Sequence, residues 1–461
     1  MGCNAASISE RKDKKRMMKK ILTLCVIMLF GWLPGGNLLL FAQHEDSVIV
    51  TNQSGKTEEI DLPEGMTADL DSLMKQYNAK TYLRPDGGCD QPDVNPVYTK
   101  EEFMARLSKL PSVIEMPYND IVQKFIDRYS GKLRRSVSYM LGAQNFYMPI
   151  FEQALETYGL PLELKYLPVI ESALNPKAVS RVGATGLWQF MLETGKRYGL
   201  EVNSLVDERR DPVKSSYAAA HYLSDLYKIF GDWNLVIAAY NAGPNQITKA
   251  VHRSQGSTDY WQIYPYLPKE TRGYVPAFIA ANYIMNYYCD HNICPMVTDL
   301  PVKSDTVKVN RDVHFEQISR VLGISIDQLR ALNPQYRRDI VNGNNRLSAI
   351  RLPSSMVTSF IDHADSIYAY DAESLLDKRE EVEVNNAKPA YTRSKKGSYR
   401  SKKASRSSRK RHHVKSRKVT VRQGDTLSEI AKRNHTTVKK LKKLNKISGS
   451  TIRAGRKIRV K

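Results

Sequence analysis

Apolar positions change their spacing several times along the chain. Two uninterrupted patches, Ile21 to Phe30 and Leu38 to Ala42, come after the basic pair Lys19-Lys20. From Ser47 to about Asn95 the chain is polar and turn-rich, with Asp86-Gly87-Gly88 as a break, and reads as a leader to a helical domain. Between Thr99 and Tyr158 the spacing becomes helical: Thr99 with Glu102 forms a capping-box pair, and Ile121, Phe125, Ile126 and Tyr129 recur on one face. Tyr139, Tyr147 and Phe151 read as a sugar-facing stripe or, as such spacing usually means, as core.

Next, Leu164, Leu167 and Ile170 form an apolar helical run closed by Glu171. Pro161 suits the first turn of that helix, and Pro168 implies a kink just before the acid. A polar turn through Ser180, Gly183 and Gly186 leads into a helix expected from about Leu187 to Tyr198. Further helices are expected from Pro212 to Phe230, Trp233 to Tyr240, Pro244 to Arg253 and Val275 to Tyr288. Beyond Leu300 a βααβ pattern appears twice, degenerate in residues 305–353 and clear in residues 418–461.

Glu171 reads as a general acid or, taken alone, as a helix-end carboxylate beside an ordinary turn. A partly desolvated acid set against a glycine-punctuated loop has its charged form disfavoured and its pKa raised, which suits a general acid near neutrality. General acid/base work is often shared between two carboxylates. Candidates for a second are Glu193, Asp207, Glu208, Asp211 and Glu270, but Asp207-Glu208-Arg209-Arg210-Asp211 mixes both signs and favours a salt-bridged turn.

Three blocks stand in order over about a hundred residues: ESALNPKAVSRVGATGLWQF from Glu171, AYNAG from Ala239 and ETRGYV from Glu270. Together with GLPLELKYLPVIES from Gly159 and GDWNLVIAAYN from Gly231, they make residues 112–288 resemble the lytic transglycosylases of the soluble, goose-lysozyme-like group, in particular the membrane-bound type D branch. The resemblance implies a mainly α chain whose lysozyme-like domain holds Glu171 as the single acid/base, the muramic acid 6-hydroxyl replacing a bound water as nucleophile. It also implies that Ser180 and Gln189 bond acetamido groups or the acid, and that Met191 packs beneath a sugar. Tyr240 and Asn241 would orient substrate, Glu270 and Tyr274 would line the floor, and Tyr274 would bond Glu171. Trp188 reads as cleft wall or core. Asn245 stands where relatives carry glycine, and Asn tolerates a left-handed turn.

Residues 418–461 resemble a LysM module, a small βααβ fold that binds N-acetylglucosamine-rich glycans, with Gly424, Asp425, Thr426, Leu427 and Asn445 as its candidate binding residues. In the first copy Arg311-Asp312-Val313 replaces the Gly-Asp-Thr turn, leaving glycan binding and a packing role both open.

The formal charge of +22 over 461 residues is concentrated after residue 388, so basicity describes the tail. The run from Thr392 to Lys418 resembles a nucleic-acid-binding tail in composition, but expected export argues against that partner and favours a solvated linker or attraction to an anionic envelope surface. Export is expected because the segment from Met18 opens like a secretory signal, either cut after Ala42 or kept as an anchor. Leu24 argues against lipid attachment at Cys25. Of the remaining cysteines, Cys289 and Cys294 close a small loop leaving Cys89 free, or all three are buried thiols. No zinc spacing occurs, and neither metal nor cofactor is expected.

The expected organisation is a signal or anchor (residues 1–42), a polar leader (43–98), a lysozyme-like domain with an N-terminal helical extension (99–298), a degenerate LysM-like module (305–353), a helix and basic linker (354–417) and a LysM module (418–461). The chain is expected to be an exported monomer acting on peptidoglycan glycan strands. The competing readings are a hydrolytic muramidase and a wall-binding scaffold without catalysis.

Overall fold

A computed structural model describes residues 47–51, 57–67, 83–84, 94–298, 301, 303–384, 418–421, 426–434, 436–445, 447 and 457–460. The expected signal or anchor, the basic linker, Cys89, Gly424 and Asp425 lie outside the described residues. No described helix is long and apolar enough to cross a membrane. The chain forms two compact units, Met1–Ala387 and Lys388–Lys461.

The first unit is built on the helix Tyr274–Tyr287, buried at every position from Tyr274 to Met285. A helix apolar on all sides needs cover on all sides. Asp120–Ser130 packs along one flank, and Leu167–Ser172 and Trp233–Ala242 supply others. Arg134–Thr157 and Pro212–Phe230 pack together as an outer pair. The aromatic stripe resolves as core, since Tyr139, Tyr147 and Phe151 are each at most 1% exposed. Trp188 is core as well, fully buried, with its indole N–H donating to Ser216 Oγ at 2.9 Å.

Local signals held where side chains cap their own helix. Thr99 and Glu102 form the reciprocal capping box, and Asp211 caps Pro212–Phe230, which stops at Gly231 with a φ of 64°. Other expectations are corrected. Instead of one kinked helix before Glu171, a 3₁₀ turn Leu162–Tyr166 gives way to Leu167–Ser172, with Pro168 in its first turn, where a missing N–H costs nothing. The helix expected from Leu187 begins at Leu192. Leu187 and Trp188 are apolar because they are buried from a turn, and Gln189 at a φ of 47° is incompatible with a helix. Asn245 needs no left-handed geometry, because it lies in the helix Pro244–Arg253 while Gly243 takes the positive φ.

The stretch read as a polar leader contains structure. Strands Ser47–Thr51 and Thr57–Asp61 pair antiparallel, and a 3₁₀ turn Glu64–Met66 comes after them. Ile60 and Met66 are fully buried in the main core. The cysteine pairing is also corrected: Cys294 is disulfide-bonded and Cys289 is a free, exposed thiol, so neither expected arrangement holds.

In residues 303–384 the strands Ser304–Val309 and Ser348–Pro353 pair antiparallel around the helices Phe315–Leu322 and Ile326–Leu332, and a second pair joins Asp312–His314 to Ile340–Asn342. Where the Gly-Asp-Thr turn is missing, His314 and Gln317 form a capping box instead. Leu205 and Val206 from the preceding domain enter this module's core beside Phe315, Leu329 and Tyr336, and Phe360 and Ile367 close it from two later helices. The second unit repeats the scheme: Lys418–Thr420 pairs with Lys457–Arg459, and Leu427, Ile430, Leu441 and Ile458 fill the core.

Candidate active site

Glu171 occupies the last turn of Leu167–Ser172, and the chain reverses at once through Ala173 and Leu174, both left-handed at φ of 50° and 58°. Such dihedrals are costly for residues with a Cβ. They are held by hydrogen bonds of 3.2 Å from Ala173 N–H to Val169 O and from Leu174 N–H to Pro168 O. Ser172 Oγ donates to Leu187 O at 2.9 Å, tying the acid's helix to the loop beyond it.

That loop is fixed by its backbone. Thr185 and Phe190 exchange two hydrogen bonds of 3.1 Å, and Ala184 N–H donates to Ser180 Oγ at 3.0 Å. Gly186, at a φ of 89°, sits so close to the Arg209 carbonyl that a Cβ there would overlap it. Arg209 Nη1 in turn donates to the Gly183 and Phe190 carbonyls at 3.1 and 3.2 Å.

The reversal opens a cleft of about 340 Å³, and Glu171, Ser180, Gln189, Met191, Tyr240, Asn241, Glu270 and Tyr274 all line it. These residues come from four helices and one loop, so only the folded chain brings them together. The Tyr274 hydroxyl donates to Glu171 Oε1. Ser180 and Gln189 do not take that role: the Gln189 amide donates to Gly186 O at 2.8 Å, and Ser180 is bonded within its loop. Tyr240 donates to Trp188 O at 2.9 Å, Asn241 accepts from Thr271 Oγ1 at 3.0 Å, and Met191 stands 44% exposed on the cleft wall.

Burial pushes the Glu171 carboxyl up to about 8, the charges of Glu64 and Glu270 add to the shift, and the Tyr274 hydrogen bond opposes it. Glu171 is therefore predominantly protonated at neutral pH. The Tyr240 and Tyr274 hydroxyls are held well above the usual phenol range by burial and by Glu171, so they serve as neutral donors.

Of the other second-acid candidates only Glu270 reaches the cleft. Asp207 is fully buried against Arg209, Glu208 pairs with Lys214 and Arg346, and Asp211 caps its helix. Sequence reasoning missed Glu64, Thr194 and Tyr222, which also line the cleft. Glu64 carries no local signal, because its position depends on a hairpin packing more than a hundred residues away from Glu171 in sequence. Among the described residues no group of His, Cys, Asp or Glu is arranged to hold a metal ion.

The transglycosylase SLT domain family matches residues 148–263, the LysM-like domain of lytic transglycosylase MltD matches residues 303–369, and the LysM domain matches residues 419–461. The membrane-bound lytic murein transglycosylase D of Escherichia coli (strain K12) is 28% identical over 452 residues, spanning 96% of this chain and 85% of that protein. The order of these domains and the likeness along nearly the whole chain support lytic transglycosylase activity. The soluble lytic murein transglycosylase of Escherichia coli (strain K12) is 35% identical over 124 residues, covering 26% of this chain and 19% of that protein. Among solved structures, the 70 kDa soluble lytic transglycosylase of Escherichia coli is 30% identical, with a TM-score of 0.28, covering 32% of this chain and 25% of that one.

In this lytic transglycosylase the described LysM positions serve their own module. The Thr426 side chain closes a capping box with Glu429, and Leu427 is a buried core residue. The Asn445 amide donates to Leu441 O and Arg459 O, at 2.9 and 2.8 Å, and its carbonyl accepts from Arg459 N–H at 2.7 Å. Asn333 makes the same three bonds in the first module, to Leu329 O, Arg351 O and Arg351 N–H. The Asn445 side chain thus ties the end of its helix to the returning strand.

Proposed function

We propose that this lytic transglycosylase cleaves the β-1,4 bond between N-acetylmuramic acid and N-acetylglucosamine in peptidoglycan, with Glu171 as its single acid/base. The observation that carries the reading is the Glu171 carboxyl, bonded by Tyr274 in the wall of a cleft, with burial pushing its pKa up. Glu171 gives its proton to the glycosidic oxygen as the C1–O bond breaks and N-acetylglucosamine leaves. The muramic acid 6-hydroxyl then attacks C1, and the Glu171 carboxylate takes the hydroxyl proton. No water is consumed, and the product ends in a 1,6-anhydro sugar. An intramolecular nucleophile already close to C1 replaces the bound water of a hydrolase.

The remaining lining residues support substrate placement. Asn241 keeps its amide N–H₂ available for an acetamido carbonyl while its oxygen is held by Thr271. Met191 offers an apolar wall, and Gln189 presents a rigidly oriented amide. The LysM modules hold the enzyme at the wall and raise its effective concentration on the polymer. The protein is read as an exported envelope monomer, with the basic run from Thr392 to Lys418 attracted to anionic surfaces.

Mass analysis of products from sacculi tests this. Wild type is expected to release muropeptides one water lighter than hydrolysed ones, and Glu171→Gln none. Reducing-end products would show a hydrolase, and binding without products would show a scaffold.

A further inference from the structure

Glu64 lies outside the matched catalytic family region, yet it is built into the cleft wall. Three contacts fix its segment to the elements that carry the acid. Gly65 rests on the backbone of Glu171's helix: a Cβ there would fall 2.6 Å from Val169 O and 2.7 Å from the Ile170 carbonyl carbon. Gly273, beside Tyr274, packs against Asp61 O with only 2.6 Å for a Cβ, and Arg272 pairs with Glu58. Met66 is fully buried beneath this turn. Glu64 itself lines the cleft, where burial raises its own pKa and Arg181 of the loop opposes that rise.

Among the described residues no Lys, Arg or His lines the cleft, so the nearby charge acting on Glu171 is carboxylate charge. The groups facing the acid are Glu64 from the N-terminal turn, Glu270 from Lys269–Arg272, and the Tyr240 and Tyr274 hydroxyls, with Tyr222 behind them. Arg181 faces Glu64 from the loop.

We propose that Glu64 is a positioning residue for the catalytic proton: its carboxylate, set on the cleft wall by the N-terminal hairpin, holds the proton on Glu171. The inference rests on Glu171 being the general acid. Like charge across a low-dielectric cleft disfavours ionisation of its neighbour. The acid/base of this enzyme thus depends on a segment that precedes the catalytic family region.

The test is the pH dependence of turnover on sacculi for the full chain, comparing wild type with Glu64→Gln and Glu64→Lys. The basic limb is expected to move to lower pH by about half a unit or more with Gln and further with Lys, with activity at pH 5 changed less than about twofold. Glu59→Gln, on the exposed face of the same hairpin, is expected to leave the profile in place. A uniform loss at every pH would reduce Glu64 to a structural role and overturn the proposal, as would an unmoved limb. If Glu171→Gln also stays active, the reading of Glu171 itself has failed; if that variant is dead and the Glu64 series shifts nothing, only the role of Glu64 has.

Discussion

Arg209 grips Asp207 through two hydrogen bonds of 2.9 Å, while its remaining nitrogen holds the Gly183 and Phe190 carbonyls of the cleft loop. Asp207 also accepts from Arg337 of the LysM-like module at 3.4 Å, and its backbone N–H donates to Gln335 O at 2.9 Å. The first module and the cleft loop therefore share one buried carboxylate. Removing one partner of a buried pair leaves a desolvated charge, at a cost of about 3–5 kcal/mol. Asp207→Ala is expected to lower the thermal midpoint by many degrees, and Arg337→Gln, more exposed, by less. Calorimetry of the two variants checks the order; equal, negligible shifts would show that the network is decorative.

Glu171 costs the fold stability, and the sign can be worked out. Its native pKa of about 8 lies above the ordinary carboxyl value of 4.5, so between those values the native state binds more protons than the unfolded chain. Stability from this group therefore falls as pH rises through that window. Glu171→Gln is expected to raise the thermal midpoint relative to wild type at pH 8 and to match it at pH 4. A difference of the same size at both pH values would mean that the gain has nothing to do with ionisation.

Much of this site was legible because its residues fall in contiguous blocks with local signals. Glu171 closes an apolar run, Thr99 with Glu102 marks the start of one helix, and Pro212 opens another. What was not legible depended on distant packing. Glu64 enters the cleft only because Gly65 and Met66 dock on Leu167–Ser172. Leu187 and Trp188 mimic a helical period because both are buried from a turn. The three bonds by which Asn445 ties helix to strand have no local sequence signal, since two of them reach Arg459.

Tyr274 opposes Glu64. Its hydroxyl donates to Glu171 and so favours the ionised form. Tyr274→Phe is expected to move the basic limb of the pH profile upward, opposite to Glu64→Gln. It is also expected to lower kcat roughly tenfold to a hundredfold, as the acid loses its orientation and the returning base its donor. A limb moving downward would mean that the hydrogen bond acts on the neutral acid.

The disulfide assignment makes a chemical prediction. Cys289 is free and exposed, whereas Cys294 is oxidised and its carbonyl accepts from Ser138. Alkylating the native, unreduced protein and mapping peptides by mass is expected to label Cys289 and spare Cys294. Label on both would remove the disulfide from the account.

The matched asparagines of the two modules separate fold from binding. Asn333 and Asn445 each join the end of a helix to a returning strand with three hydrogen bonds. Truncating either strands two strand backbone groups, which costs about 1–3 kcal/mol where they are buried. Asn333 is fully buried and Asn445 partly exposed, so Asn333→Ala is expected to cost more stability. If Asn445 only ties the fold, Asn445→Ala weakens binding to insoluble peptidoglycan in proportion to the module's unfolding, followed by amide exchange in residues 427–445. Full amide protection with binding lost would instead restore Asn445 as a direct sugar ligand.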